Sequence, residues 1–168
     1  MRLARVLTTL HPELLAFAAS LTLNPAEAED LVQDAVVRAL QSGKAPRQSA
    51  DLRPWMFRII KNLFIDGKRK KRVQREFSAM QSRLSDALPA GSGDPVEALM
   101  VRQAYAKLAA RDREILCLVD ILGLTYAEAA TAIDVPPGTV MSRVSRARRA
   151  MIERMGETNI RPLRKRRG

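Results

Sequence analysis

The segment after residue 134 restricts the possible folds most, because two prolines and a glycine lead directly into a helical repeat. Proline at the first helical position, here Pro137 beside Gly138, predicts a helix that begins abruptly. Apolar residues then recur at positions i, i+4, i+7 and i+11, namely Val140, Val144, Ala147 and Met151. This spacing predicts that the four side chains face a core. The residues predicted on the opposite side are Ser142, Ser145, Arg146 and Arg149.

The residues before this helix complete a predicted helix-turn-helix unit. The sequence predicts a helix from Pro95, a short break at "AARD", a helix over about 113–122 that ends at Gly123, and a helix over 126–133. In a helix-turn-helix the second helix enters the major groove of DNA. The polar side of the last helix therefore indicates base contacts, with Arg148 and Arg149 expected at phosphates. A plain solvated helix face is the alternative interpretation.

The composition favours an all-α chain, because aromatic residues make up only 4% of it and alternating β-branched runs are missing. One Cys and one His cannot form a four-ligand metal site or an internal disulfide, so we expect no metal and no cofactor. Without a signal peptide or an apolar span of bilayer length, the sequence predicts a soluble protein of a reducing compartment. Cys117 lies in the apolar run "EILCLVDIL", which favours a buried, inert thiol.

The net charge of +11 is distributed unevenly along the chain. Residues 51–80 carry nine basic and three acidic side chains, and residues 136–168 carry ten and two. Residues 1–50 are neutral, and residues 81–135 are slightly acidic. Two separate basic blocks suggest two contacts with a polyanion, for which nucleic acid is the first candidate and an anionic membrane surface the second.

A change in composition divides the chain into two parts. In "SDALPAGSGDP", Pro, Gly, Ser and Asp replace the periodic apolar residues, which is typical of a flexible linker. We therefore predict an N-terminal domain over residues 1–80, a linker over 81–94, and a C-terminal domain with a basic tail over 95–168. Both domains are within the size range of small helical domains.

The N-terminal half contains a predicted helix with an acidic face. "NPAE" offers Asn24 as the N-cap, Pro25 at the first helical position and Glu27 to close a capping box. The predicted core stripe of this helix consists of Leu31, Val32, Ala35, Val36, Ala39 and Leu40. The side chains left facing outward are Glu27, Asp30, Gln33 and Asp34.

The next predicted helix, "DLRPWMFRIIKNLFIDGKRKKRVQR", changes character along its length. Its first half is apolar and includes Trp55, Phe57 and Phe64, whereas six of the eight residues 68–75 are basic. For the aromatic residues, core packing is favoured over base stacking. The cationic half is therefore predicted to be the functional part.

Three segments in order resemble one known family. "LLAFAASLTLNPAEAEDLVQDAVVRAL" and "LRPWMFRIIKNLFIDGKRKKR" are similar to region two of the bacterial extracytoplasmic-function sigma factors. "LAARDREILCLVDILGLTYAEAATAIDVPPGTVMSRVSRARRAM" is similar to their region four. The resemblance covers about residues 10–155 and implies two small helical domains, a region-two bundle and a region-four helix-turn-helix.

The resemblance implies a subunit of RNA polymerase that directs promoter recognition and opening. The residues that match the surface docking on the clamp helices of the largest polymerase subunit are Asp30, Gln33 and Asp34. The residues that match the minus-ten end of region two are Asn62, Asp66, Lys68 and Arg69. The residues that match the recognition helix for the minus-thirty-five element are Ser142, Arg143, Arg146 and Arg149.

Further partners follow from the same resemblance. Besides promoter DNA, the family implies contact with the flap of the second-largest polymerase subunit and control by an anti-sigma protein that occludes one or both domains. It also implies a cytoplasmic bacterial protein without membrane insertion. One departure is Met141, where many relatives carry Lys or Arg, so the exact minus-thirty-five sequence stays open.

Three other functions are considered for the chain. An ordinary helix-turn-helix regulator would leave the second basic block without a purpose. A sigma-like decoy that only sequesters an anti-sigma protein would not need both cationic surfaces, and here both remain. An enzyme has the least support, because the sequence offers no nucleophile and base pair, phosphate loop or metal constellation.

Overall fold

A computed structural model describes residues 2–75 and 95–157, and these residues contain helices and no β-strand. The N-terminal half has three helices: α1 (Arg2–Thr22), α2 (Pro25–Gln41) and α3 (Ser49–Arg75). The C-terminal half has α4 (Pro95–Ala106), α5 (Ala110–Leu116), a π-helical segment (Cys117–Ile121), α6 (Tyr126–Ile133) and α7 (Pro137–Glu157). The all-α prediction is confirmed. The predicted linker over 81–94 and the basic tail lie outside the described residues.

The predicted helix starts follow from local capping. The side chain of Asn24 accepts a hydrogen bond from the backbone N–H of Glu27 at 3.2 Å, and Pro25 is the first residue of α2. At α6 the capping box is complete, because Thr125 and Glu128 each bond the backbone N–H of the other. Gly123 has a φ of +67°, which suits glycine at the end of a helix.

One predicted boundary is wrong by three residues. The helix expected from about residue 113 begins at Ala110, inside the "AARD" segment that was expected to be a break. Backbone bonds to the carbonyl of Ala109 from Asp112 (2.9 Å) and Arg113 (3.0 Å) start it, without a side-chain cap. The helix then widens into the π-helical segment, where the N–H of Leu122 bonds the carbonyl of Cys117.

The capping box at α6 leads to a stability prediction. Replacing Thr125 with Ala removes the side-chain acceptor and its bonds with Glu128, so we expect the free energy of unfolding to fall by about 1 kcal/mol. Thr131→Ala is the matched control, because its hydroxyl bonds the carbonyl of Ala127 within the same helix and caps nothing. Thermal unfolding followed by circular dichroism compares the two variants. Equal losses of stability would contradict a capping role for Thr125.

The core of the N-terminal half is formed by α1, α2 and α3. Phe17 and Phe57 are fully buried and meet edge to face, with ring centroids 5.1 Å apart. Phe57 therefore packs in the core, as expected. Leu40, which was assigned to the core stripe of α2, is 54% exposed, so that assignment is wrong. The stripe that faces the core ends at Ala39, which is 1% exposed.

The helix-turn-helix is built from α6 and α7. Asp134 adopts the left-handed conformation with a φ of 58°, which turns the chain sharply after α6. The predicted stripe of α7 faces the core: Val140, Val144 and Ala147 are buried, and Met151 is partly buried against them. The polar side of α7 consequently faces solvent.

The two halves pack against each other directly. Helix α3 packs on α6, and α1 packs on α5 and the π-helical segment. Their buried apolar residues form one continuous cluster, which joins Leu14 and Phe17 of α1 to Ile115 and Leu118 of the C-terminal half. The division into two helical parts is confirmed, but the interface between them was not predicted.

Candidate nucleic-acid and protein interfaces

The exposed side of α7 carries the residues predicted to contact DNA. Ser142, Arg146 and Arg149 are exposed, and Arg143 is half-buried. The Nε of Arg146 donates to the carbonyl of Ser142 at 3.2 Å, which aligns the guanidinium along its own helix. All four residues therefore lie on α7, and three of them are exposed to a ligand.

Arg148 and Arg143 of α7 interact electrostatically with acidic side chains outside α7. Arg148 donates to both carboxylate oxygens of Asp120, at 2.6 and 3.1 Å, so it is engaged in a bidentate ion pair on the flank of α7. Arg143 lies close enough to Glu114 to affect its titration. Burial raises the pKa of the Glu114 carboxyl, while Lys61 and, more weakly, Arg143 lower it. Arg143 thus contributes to the electrostatic environment of a carboxyl group that is paired with Lys61 of α3.

A groove of about 440 Å³ runs beside the exposed side of α7. Tyr126 of α6 lines it together with Met141, Arg149 and Ile152 of α7. Met141 is 59% exposed and Ile152 is 71% exposed. Met141 was noted in the sequence as a departure from the family, but Ile152 was not predicted as a surface residue. It lies one residue beyond the core stripe and is apolar without being buried.

The acidic side of α2 is exposed as predicted. Asp30, Gln33 and Asp34 all face solvent on a helix whose opposite side is buried. In the next turn of α2, exposed apolar residues continue this surface. Val37 is 50% exposed, and Leu40 lies beside it, three residues along the helix. The apolar pair was missed, because Leu40 was assigned to the core stripe and Val37 was given no role. Together, the five residues form one exposed surface, with acidic and polar residues at its N-terminal end and apolar residues at its C-terminal end.

The predicted minus-ten residues lie in the second half of α3 but do not share one face. Asn62 and Asp66 are exposed and four residues apart, so they are neighbours on the helix surface. Lys68 lies about 120° around the helix from Asn62, and its Nζ is 4.6 Å from the centroid of the Phe64 ring. Arg69 belongs to the same helix, and its side chain lies outside the described residues.

Cys117 is a buried thiol in the π-helical segment, 1% exposed. Burial raises its pKa to about 11, so the thiol is protonated near neutral pH and is a poor nucleophile. The predicted burial of the thiol is confirmed.

Metal-binding groups and membrane-spanning helices were sought among residues 2–75 and 95–157. In this part of the chain, no three His, Cys, Asp or Glu side chains are grouped so that they could hold a metal ion. None of its helices is long and apolar enough to cross a membrane.

Comparison with protein families finds two matches along the chain. The family model for Sigma-70 region 2 matches residues 6–74, and the model for Sigma-70, region 4 matches residues 98–151. A curated relative, the ECF RNA polymerase sigma factor EcfG of Rhodopseudomonas palustris, is 37% identical over 139 residues, which cover 82% of this chain and 76% of the relative. The ECF RNA polymerase sigma factor SigC of Mycobacterium tuberculosis is 37% identical over 131 residues, covering 74% and 68%.

Solved structures resemble the whole arrangement of helices. The sigma factor RpoE of Bartonella quintana, in complex with the anti-sigma factor NepR, has a TM-score of 0.74 at 31% identity and covers 92% of this chain and 94% of its own. CnrH, in complex with the cytosolic domain of CnrY, has a TM-score of 0.67 at 23% identity, with coverage of 94% and 89%. The likeness to CnrH concerns the fold alone.

Proposed function

This chain belongs to the extracytoplasmic-function (ECF) family of RNA polymerase sigma factors. We propose which of its surfaces contacts each partner during transcription initiation. As a member of that family it binds core RNA polymerase and directs promoter recognition and transcription initiation. In the proposal, residues 1–80 bind polymerase and the minus-ten element, whereas residues 95–168 bind the minus-thirty-five element. No catalytic role is proposed. The polymerase is cytoplasmic, so the proposal places the protein there.

The polymerase-docking role is assigned to the acidic surface of α2. Asp30, Gln33 and Asp34 offer charge and hydrogen-bond acceptors to the clamp helices of the largest subunit, while Val37 and Leu40 add apolar area. Interfaces commonly combine an apolar centre with charged residues at the margin. Two half-exposed aliphatic side chains beside an acidic pair on one helix support a protein partner rather than DNA.

The minus-ten role is assigned to the second half of α3. Asn62 and Asp66 can hydrogen-bond exposed base edges there, while Lys68 and Arg69 supply positive charge for the backbone. These four residues lie where α3 changes from mostly apolar residues to mostly basic ones. Positive charge that follows the backbone is a common feature of proteins that bind single strands.

The minus-thirty-five role is assigned to α7 because of the orientation of this helix. The helix that follows the sharp turn at Asp134 buries its apolar stripe and exposes Ser142, Arg146 and Arg149 on the opposite side. A recognition helix needs this orientation, because its N-terminal residues must reach base edges in the major groove. Arg143, which is half-buried, is assigned to the edge of the same contact.

An anti-sigma protein is the proposed regulator. RpoE, which is 31% identical and covers most of this chain, is bound to the anti-sigma factor NepR in its solved structure. A protein of that class would bind here through the surfaces that polymerase and promoter otherwise occupy. The flap of the second-largest polymerase subunit is proposed to contact the C-terminal half.

Transcription with purified components tests the proposed function. Core RNA polymerase is combined with promoter DNA with and without this protein, and the transcript start is mapped. We expect initiation at a defined site only when the protein is present, and loss of that transcript when the minus-thirty-five sequence is scrambled. If core polymerase gains neither binding nor specific initiation, the division of roles proposed here has to be abandoned.

A substitution in α7 tests the base-reading role. Arg146→Ala should weaken promoter binding by about 1 to 3 kcal/mol and relax the preference at one minus-thirty-five position, because bidentate contacts from arginine to guanine have this value. Lys107→Ala is the control, since it removes an equal charge from an exposed position outside α7. Binding to a panel of single-base promoter variants provides the measurement. An unchanged base preference across the panel would show that Arg146 does not read a base.

A further inference from the structure

Asp120, in the π-helical segment, binds one arginine of α7 through both of its carboxylate oxygens. Nε of Arg148 donates to Oδ2 at 3.1 Å, and Nη2 donates to Oδ1 at 2.6 Å. Two parallel bonds of this kind fix the orientation of a guanidinium as well as its distance. The pair is open to solvent, since the side chains of Asp120 and Arg148 are 36% and 53% exposed. A ligand that approaches α7 therefore meets Arg148 with its charge already paired.

The backbone of the π-helical segment fixes the position of Asp120. Cys117 and Leu118, which precede it, are buried. Their carbonyls accept hydrogen bonds from the N–H groups of Leu122 and Leu124, each at 2.9 Å. These bonds connect the residues before Asp120 to those after it, so the carboxylate stands on an anchored turn. Because aspartate also has a short side chain, it loses little conformational freedom when it binds a guanidinium.

Arg148 lies on the flank of the side of α7 that is proposed to read bases. Successive residues of an α-helix are rotated by about 100° around its axis. Arg149 consequently lies about 20° from Ser142, whereas Arg148 lies about 120° from it. From the flank, a long side chain can reach the phosphates that border the major groove, but not the base edges. A released Arg148 would therefore be a phosphate contact.

Arg149 provides the contrast on the same helix. It is exposed, as Arg148 is, and among residues 2–75 and 95–157 no carboxylate forms an ion pair with it. Its charge is available to DNA without the loss of an ion pair inside the protein. The two arginines are adjacent in the sequence, which predicted the same phosphate contact for both. Of the two, only Arg148 has its charge balanced by a carboxylate.

A phosphate that binds Arg148 has to compete with Asp120. The displaced carboxylate would remain beside the DNA on its anchored turn, where like charges repel each other. The affinity of a protein for DNA increases with the number of phosphates that its cations neutralise, because each contact releases condensed counterions. A cation that stays paired with a carboxylate brings no net charge to the DNA and releases no counterion. The intact pair thus removes one phosphate contact from α7.

We propose that Asp120 is a positioning residue in promoter binding, which holds Arg148 away from the DNA and so limits the affinity of α7. The inference rests on the proposed minus-thirty-five role of α7. While the pair is intact, Arg149 contacts a phosphate and Arg148 does not. Phosphate contacts carry no sequence information, so Asp120 lowers the affinity for every sequence alike. The preference among bases stays with Ser142 and Arg146.

A double-substitution cycle tests this role, with the full-length protein bound to core polymerase. Fluorescence anisotropy gives the affinity for a promoter duplex, and for a duplex with a scrambled minus-thirty-five sequence, between about 50 and 200 mM salt. Asp120→Asn removes the charge and one of the two acceptors. We expect it to raise the affinity for both duplexes about three- to tenfold and to steepen the log–log salt dependence by about one unit. Thermal unfolding should change little, because an exposed ion pair contributes little to stability.

Arg148→Met separates the proposed role from a general effect of charge. It should reduce the salt slope by about one unit in the Asp120→Asn background and leave the slope unchanged in the wild-type background. Arg149→Met is the matched control and should reduce the slope by about one unit in both backgrounds. An equal reduction by Arg148→Met in both backgrounds, or an unchanged slope in Asp120→Asn, overturns the inference. A wild-type complex that does not prefer the promoter duplex contradicts the proposed function instead.

Discussion

Replacing Asp30 and Asp34 together with lysine is expected to abolish binding to core polymerase and promoter-directed transcription. The two carboxylates lie one helical turn apart on the exposed side of α2 and make no contribution to its buried stripe. Two new cations would face a surface that is complementary to an acidic helix, and like-charge contacts at an interface cost several kcal/mol. A loss of that size weakens binding more than a hundredfold.

The fold and the DNA-binding surface should survive this double substitution. Both positions are exposed, so thermal unfolding should change little. Binding to promoter DNA in the absence of polymerase should not fall, because α7 is unaffected and the net charge becomes more positive. Glu97→Lys, an exposed charge reversal on α4, is the control and should retain polymerase binding. Normal polymerase binding by the folded double variant would show that docking occurs elsewhere.

Replacing Phe57 with Ala is expected to lower the free energy of unfolding by about 3 to 5 kcal/mol. Phe57 is 0% exposed and packs edge to face on Phe17, so truncation leaves a cavity between α1 and α3 and removes the ring contact. Because α3 also packs on α6, the loss should extend to the interface between the halves. Polymerase binding should fall in proportion to the unfolded fraction.

Denaturant unfolding measures this loss, with two comparisons. Phe57→Leu preserves most of the buried volume and should cost much less than the alanine variant. Ile65→Ala removes an apolar side chain from the same helix at a position that is 38% exposed, and its cost should be small. If Phe57→Ala were no more destabilising than Ile65→Ala, the ring would not belong to the core that holds α1 and α3 together.

The sequence by itself determined the features that depend on residues close together along the chain. The cap at Asn24 and the stop at Gly123 involve neighbours within four residues, and both were predicted. The orientation of α7 followed from its apolar spacing, and so did the exposure of Asp30 and Asp34 on α2. These features need no knowledge of where other helices lie.

Only the tertiary structure decided which residues from distant parts of the chain meet. Leu40 has the spacing of a core residue but is exposed, because the core contacts of α2 end at Ala39. Arg148 belongs to a basic run, yet it is paired with Asp120. Lys61 meets Glu114 across the two halves, and a charge pattern read along one helix contains no information about its partner on another. Such contacts depend on how helices are placed relative to one another, which the shared burial of apolar surface determines over the whole chain.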